Sequence, residues 1–92
     1  MVRFSDLQFT PHPIGRDGIR ARANVDNGYQ ASVVRFDGSY GYEAGLYEAA
    51  ILHNGALVYD TPVTDDVEGY LSETAVSEFL AKVEALPARD AA

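Results

Sequence analysis

The sequence predicts an α+β domain, an antiparallel meander of four or five strands with one C-terminal helix packed on one face. Three observations carry this. Residues 19–25 alternate Ile19, Ala21, Ala23 and Val25 with Arg20, Arg22 and Asn24, the period of a strand with one wet face. Asn27-Gly28 and Asn54-Gly55 each separate two apolar runs, and Asn-Gly accepts the positive φ angles of a tight hairpin turn. Val76, Phe79, Leu80, Val83 and Leu86 recur at helical spacing, a stripe that faces a sheet. At 92 residues, 47% apolar and 23% charged, the chain suits one core. It is expected to form a single domain over 1–92, with 1–3 and 88–92 as flexible ends.

The elements follow in order. Phe4, Leu7 and Phe9 anchor a short strand or extended arm, which Pro11-His12-Pro13 is expected to stop because proline donates no ladder hydrogen bond. Gly15-Arg16-Asp17-Gly18 reads as a turn. Ile19 to Val25 is a strand, Asp26-Asn27-Gly28 its hairpin turn, and Tyr29 to Phe36 the return. Asp37 to Gly45 holds three glycines, Gly38, Gly41 and Gly45, and reads as a mobile loop. Leu46 to His53 is a third long strand, closed by Asn54-Gly55 onto a short partner, Ala56 to Tyr59. Asp60 to Tyr70 reads as irregular. Ser72 is a helix N-cap with Glu73 in the first turn, and Pro87 ends the helix. The predicted core is Phe4, Leu7, Ile19, Ala21, Val33, Leu46, Ile51, Leu57, Val76, Phe79, Leu80 and Val83.

The formal net charge is −7, and it is unevenly placed. Residues 1–35 hold five arginines against three aspartates. Residues 36–81 hold no lysine or arginine and nine acids, Asp37, Glu43, Glu48, Asp60, Asp65, Asp66, Glu68, Glu73 and Glu78. Direct nucleic-acid binding is disfavoured, since phosphates need Lys and Arg, and anionic membranes are disfavoured on the same ground. The acidic middle is either a solvated face or a surface shaped to meet a basic one. With no cysteine, disulfides, thiolate nucleophiles and cysteine metal sites drop out. The start of the chain carries no apolar run of a signal sequence, and its longest apolar stretch, Ala49 to Leu52, is too short to span a bilayer.

Chemistry is sparse. His12 and His53 lack metal-ligand spacing. No GxSxG elbow supports a nucleophile, and the glycine-rich loop lacks the Lys and helix start of a phosphate loop. The chain is therefore expected to have no catalytic residue, metal or cofactor, and not to be an enzyme. Tyr40 and Tyr42 in that loop pair rigid contact area with an adaptable backbone, as recognition loops do; a plain connection is the other reading. The segment Asp60 to Gly69 offers four carboxylates and two hydroxyls. These suit side-chain-to-backbone turns, a partner surface or, outside the EF-hand pattern, weak binding of a hard cation. Arg20 and Arg22 are expected to pair with acids across the sheet.

The run Tyr59-Asp60-Thr61-Pro62-Val63-Thr64-Asp65-Asp66-Val67-Glu68-Gly69-Tyr70-Leu71 resembles a segment of small phage and prophage proteins, and Asn27 to Val34 and Gly45 to Glu48 are similar to stretches of the same group. Small, acidic, cysteine-free proteins of that origin include many of the anti-CRISPR type. The resemblance implies an inhibitor that occupies a basic nucleic-acid channel in place of DNA, in the cytoplasm of a bacterial host. The implied partner is a basic nucleic-acid-binding protein such as a Cas effector complex. The expected contact residues are Asp60, Asp65, Asp66, Glu68, Glu43 and Glu73, with Tyr40 and Tyr42 as apolar anchors. The chain itself is expected to be a monomer or homodimer. The alternative is a non-enzymatic phage accessory or structural protein that self-associates.

Overall fold

The computed structural model describes residues 2–12, 18–25, 27–58, 61, 63 and 67–87. After a 3-10 turn at Phe4–Asp6 come β1 (Thr10–Pro11), β2 (Ile19–Asn24), β3 (Gln30–Arg35), a second 3-10 turn at Tyr42–Ala44, β4 (Tyr47–His53), β5 (Ala56–Leu57), β6 (Val67–Leu71) and α1 (Glu73–Glu84). The strands form one antiparallel sheet in the order β1-β2-β3-β4-β5, with β6 also on β4. This is the α+β architecture that the patterning predicts. No helix is long and apolar enough to cross a membrane among the described residues.

The hairpins follow from their turn residues. Asn54 and Gly55 both take positive φ, 53° and 79°, as a two-residue turn of the primed type requires. Gly28 has φ 91°, and Val25 N donates to Tyr29 O at 2.9 Å. The register Ala21↔Val33↔Ala49 and Ala23↔Ala31↔Ile51 then stacks small and branched side chains on one face. α1 lies on that face. Its Val76, Phe79, Leu80 and Val83 are buried against Ala23, Ala31, Val33, Tyr47, Ala49 and Ile51. Ser72 Oγ accepts from Ala75 N at 3.1 Å, the predicted N-cap.

The predicted core needs one refinement. Ala21, Val33, Ile51, Val76, Phe79, Leu80 and Val83 are buried. Phe4, Leu7 and Ile19 are half-buried and pack against the cluster from its rim. Leu46 and Leu57 are half-buried outside it. Leu46 precedes β4, and Leu57 sits opposite Leu52, whose side chain points away from the helix because it alternates with Ile51. Phe4 and Phe9 instead form an aromatic cluster with Tyr47, ring centroids 5.1 to 5.7 Å apart, with the Arg35 guanidinium 5.1 Å from the Tyr47 ring centre.

Two expectations are corrected and one is sharpened. The first strand does end at Pro11, the last residue of β1. The His12 N–H donates to Gly18 O at 2.8 Å, so alternation makes Pro11↔Ile19 a pair without hydrogen bonds, and the missing N–H costs the ladder nothing. Residues 67–71 are not irregular but form β6. Between Tyr47↔Leu71 and Ala49↔Glu68 the register shifts, so Gly69 and Tyr70 share one partner position, a β-bulge. The bulge breaks the two-residue alternation by which a strand is recognised. Arg20 and Arg22 do not pair with acids across the sheet. Their neighbours on β3 are Val34 and Ser32, and neither arginine makes an ion pair with a described residue. Glu48 lies beyond Val34, two strand spacings or about 10 Å away. The predicted turn at 15–18, the predicted strand end at Tyr59 and the flexible end at 88–92 fall largely or wholly outside the described residues.

Asn27 does more than turn a hairpin. Its Nδ2 donates to Val83 O at 2.7 Å and Leu86 O at 3.0 Å, which ties the hairpin to the C-terminal end of the helix, where carbonyls outnumber helical donors. Asn27→Ala is expected to destabilise by about 1–2 kcal/mol, and Asn27→Asp by about 2–3 kcal/mol because it sets a carboxylate against the negative helix end. Urea denaturation of both variants checks the order, and an Asp variant as stable as the Ala variant contradicts it.

Candidate functional site

The loop between β3 and β4, expected to be mobile from its glycines, is laced by hydrogen bonds. Ser39 is buried and its Oγ accepts from Phe36 N at 3.0 Å and donates to Phe36 O at 2.8 Å. Leu46 N and Ala44 N both donate to Gly41 O, at 2.9 and 3.0 Å. Gly41 has φ 97°, and a Cβ there would stand 3.0 Å from both Leu46 Cβ and Tyr70 Cα, so only glycine lets the loop close against the bulge.

Tyr40 is fixed from both sides. Its N–H donates to Glu48 Oε1 at 3.0 Å, and its carbonyl accepts from Tyr70 N at 3.3 Å. Glu48 comes from β4 and Tyr70 from the β6 bulge, so three segments meet at one backbone position. Tyr70 adopts the left-handed conformation, φ 58°, uncommon for a residue with a bulky side chain. Gly69 lies beneath Tyr40 so closely that a Cβ on it would meet Tyr40 Cβ. The result is two tyrosines held exposed, Tyr40 at 59% and Tyr70 at 66%. They are the large hydrophobic side chains that the described residues leave in solvent. With Asp37, Tyr42, Glu43 and the loop backbone they line a recess of about 440 Å³.

The predicted contact residues divide. Tyr40, Tyr42 and Glu43 come together in this recess; Tyr40 and Glu43 are exposed and Tyr42 is half-buried. Glu68 does not join them. It is half-buried opposite Ala49 on the helix-bearing face, in a groove with Val63, Leu71, Glu78 and Lys82. Glu73 is exposed in the first turn of α1. Asp60, Asp65 and Asp66 lie outside the described residues. Tyr70 and Glu48 were missed. The signal for Tyr70 is the glycine beside it, Gly69, between Val67 and Leu71, which marks a bulge; Glu48 gives none, because its role depends on where the loop folds back.

Among the described residues no group of three or more His, Cys, Asp or Glu side chains converges to hold a metal ion. His12 stacks on Phe36, centroids 4.4 Å apart, and His53 Nδ1 lies 3.0 Å from Gly28 O. The two histidines are thus engaged at opposite ends of β3. No protein-family model matches the chain, and neither a curated protein nor a solved structure matches it.

Proposed function

We propose that the protein acts by binding, docking its acidic middle on the basic nucleic-acid channel of a host defence complex in the manner of an anti-CRISPR inhibitor. One observation carries the reading: Tyr40 and Tyr70 are exposed side by side on a backbone held at both ends, within a stretch of 46 residues, 36–81, that has no positive side chain. Rigid tyrosines lose little conformational entropy on docking and are frequent interface anchors. The surrounding carboxylates speed the encounter with a basic partner and select it. In this reading Asp37 and Glu43 flank the anchors. Asp60, Asp65, Asp66 and Glu73 are the further contact acids of this reading, whereas Glu68 faces the groove beside Lys82.

The test is capture from a lysate of a CRISPR-bearing host, followed by competition with DNA for the captured complex. The wild-type chain should retain a DNA-binding complex, lose it to added DNA and lose it as salt rises. Reversal of Asp65 and Asp66 to lysine should abolish retention; unchanged retention and inhibition overturn the mechanism.

The left-handed Tyr70 gives a second, sharper expectation. Glycine tolerates that conformation without the Cβ penalty but loses more entropy on folding. Tyr70→Gly is therefore expected to leave stability unchanged or raise it by up to about 1 kcal/mol, while weakening partner binding at least about tenfold. Strained tyrosine retained for contact predicts that trade-off. A variant that binds as well as wild type removes Tyr70 from the interface.

A further inference from the structure

The opposite edge of the sheet carries a second surface, independent of the tyrosine recess. β1 covers only the first part of β2, pairing Thr10 with Arg20 and Pro11 with Ile19. The bonded pairs His12–Gly18 and Thr10–Arg20 turn the peptide groups of alternate residues toward β1. By the same alternation the N–H and C=O of Arg22 and Asn24 point to the outer side, where β1 no longer runs. Among the described residues neither peptide group has a backbone partner on that side. Continuation of the ladder would set Gln8 opposite Arg22, but that pair is not made. Instead a recess of about 390 Å³ opens there, lined by Gln8, Thr10, Arg20, Ala21 and Arg22. Arg20 and Arg22 are exposed on one face, about 7 Å apart as alternate strand residues are, and neither is paired with a described carboxylate.

We propose that this edge accepts an extended acidic peptide as an added strand, hydrogen-bonded to Arg22 and Asn24 and with carboxylates at alternate positions on the two arginines. Two physical arguments select that occupant. An unpaired edge supplies donors and acceptors in the spacing of a strand, so the ligand is backbone in extended form. Guanidiniums on its open face favour carboxylates opposite and diagonal to them. A second copy docking by the same edge is disfavoured, because it would bring four arginines onto one face. The acidic middle of the chain does not forbid the ligand, since exposed charges beyond about 8 Å are largely screened at physiological ionic strength. Locally the first 35 residues carry a positive excess.

The probe is the blocked peptide Thr-Glu-Val-Glu-Val-Thr, titrated into the isotope-labelled full chain. It is expected to shift and protect the amides of Arg22 and Asn24 while leaving those of Tyr40 and Tyr70 in place. The same peptide N-methylated at alternate amides keeps its charge and loses its ladder; it should bind at least about tenfold more weakly. The analogue Thr-Lys-Val-Lys-Val-Thr should not bind. The double variant Arg20→Glu/Arg22→Glu, folded by circular dichroism, should reverse the preference between the acidic and basic peptides. Equal binding of the methylated peptide shows mere charge attraction, and equal binding of the lysine peptide shows no charge selection. Either result, or no binding by about 1 mM, overturns the proposal, and the wild-type comparisons do so without any variant.

Discussion

Replacing Leu80 with alanine is expected to destabilise the domain by about 3–4 kcal/mol, in the middle of the range for buried leucines. Leu80 is fully buried, among the largest such side chains with Ile51, Val33, Val76 and Val83. The site can collapse little. Opposite the helix stand Ala23, Ala31 and Ala49, too short to reach into the gap, and the branched Val33 and Ile51, stiff at χ1, all fixed on a hydrogen-bonded sheet. Van der Waals contacts are then lost outright. For a chain of this length each kcal/mol lowers Tm by about 4–8 °C, so a fall of at least about 12 °C should be seen in a thermal melt. Leu57→Ala is the control: half-buried and outside the cluster, it should cost about 1 kcal/mol. Equal costs at the two sites would mean that the helix–sheet layer is not the main core.

Gly69→Ala is expected to cost about 1–3 kcal/mol by overpacking and to disable the tyrosine surface at the same time. The added methyl would stand on Tyr40 Cβ. Tyr40 cannot retreat cheaply, because its N–H is held by Glu48 and its carbonyl by Tyr70 N. The loop must lift, and the bond from Tyr70 breaks with it. Hydrogen exchange at the Tyr70 amide should therefore speed up more than urea denaturation alone accounts for. Removal of the obstructing atom gives the converse test. The pair Gly69→Ala/Tyr40→Gly should recover most of the lost stability without recovering partner binding. A single Gly69→Ala variant with wild-type stability and wild-type binding would show that loop and bulge are not coupled.

The parts of the fold that were legible share one property: their cause is local. Alternation at 19–25, Asn-Gly at 27–28 and 54–55, Ser72 before an acidic first turn, and the stripe from Val76 to Leu86 each act within a few residues. The parts that were not legible depend on long-range placement. β6 escaped notice because its bulge puts Glu68 and Leu71 on one face although they are three apart. Pro11 ends β1 as its ring predicts, but that its missing N–H breaks no ladder bond follows only from the register with β2. The wet face of β2 predicts acids opposite Arg20 and Arg22, yet the register sets Val34 and Ser32 beside them.

The candidate site divides the same way. Tyr40, Tyr42 and Glu43 were named from a glycine-rich loop, and they do meet in one recess. Tyr70 and Glu48 hold that loop in place: Glu48 lies in a strand the pattern predicts, but its bond to Tyr40 depends on how the loop folds back, and Tyr70 lies on a bulged strand thirty residues along the chain. By itself, then, the sequence determined an α+β domain, its helix, its hairpins and the placing of all excess negative charge in residues 36–81, because period, turn chemistry and charge are properties of neighbours along the chain. Only the tertiary structure decided which tyrosines stand together, which glycines they need beneath them and which strand edge stays open. Those features arise where segments tens of residues apart compete for the same space and the same hydrogen bonds.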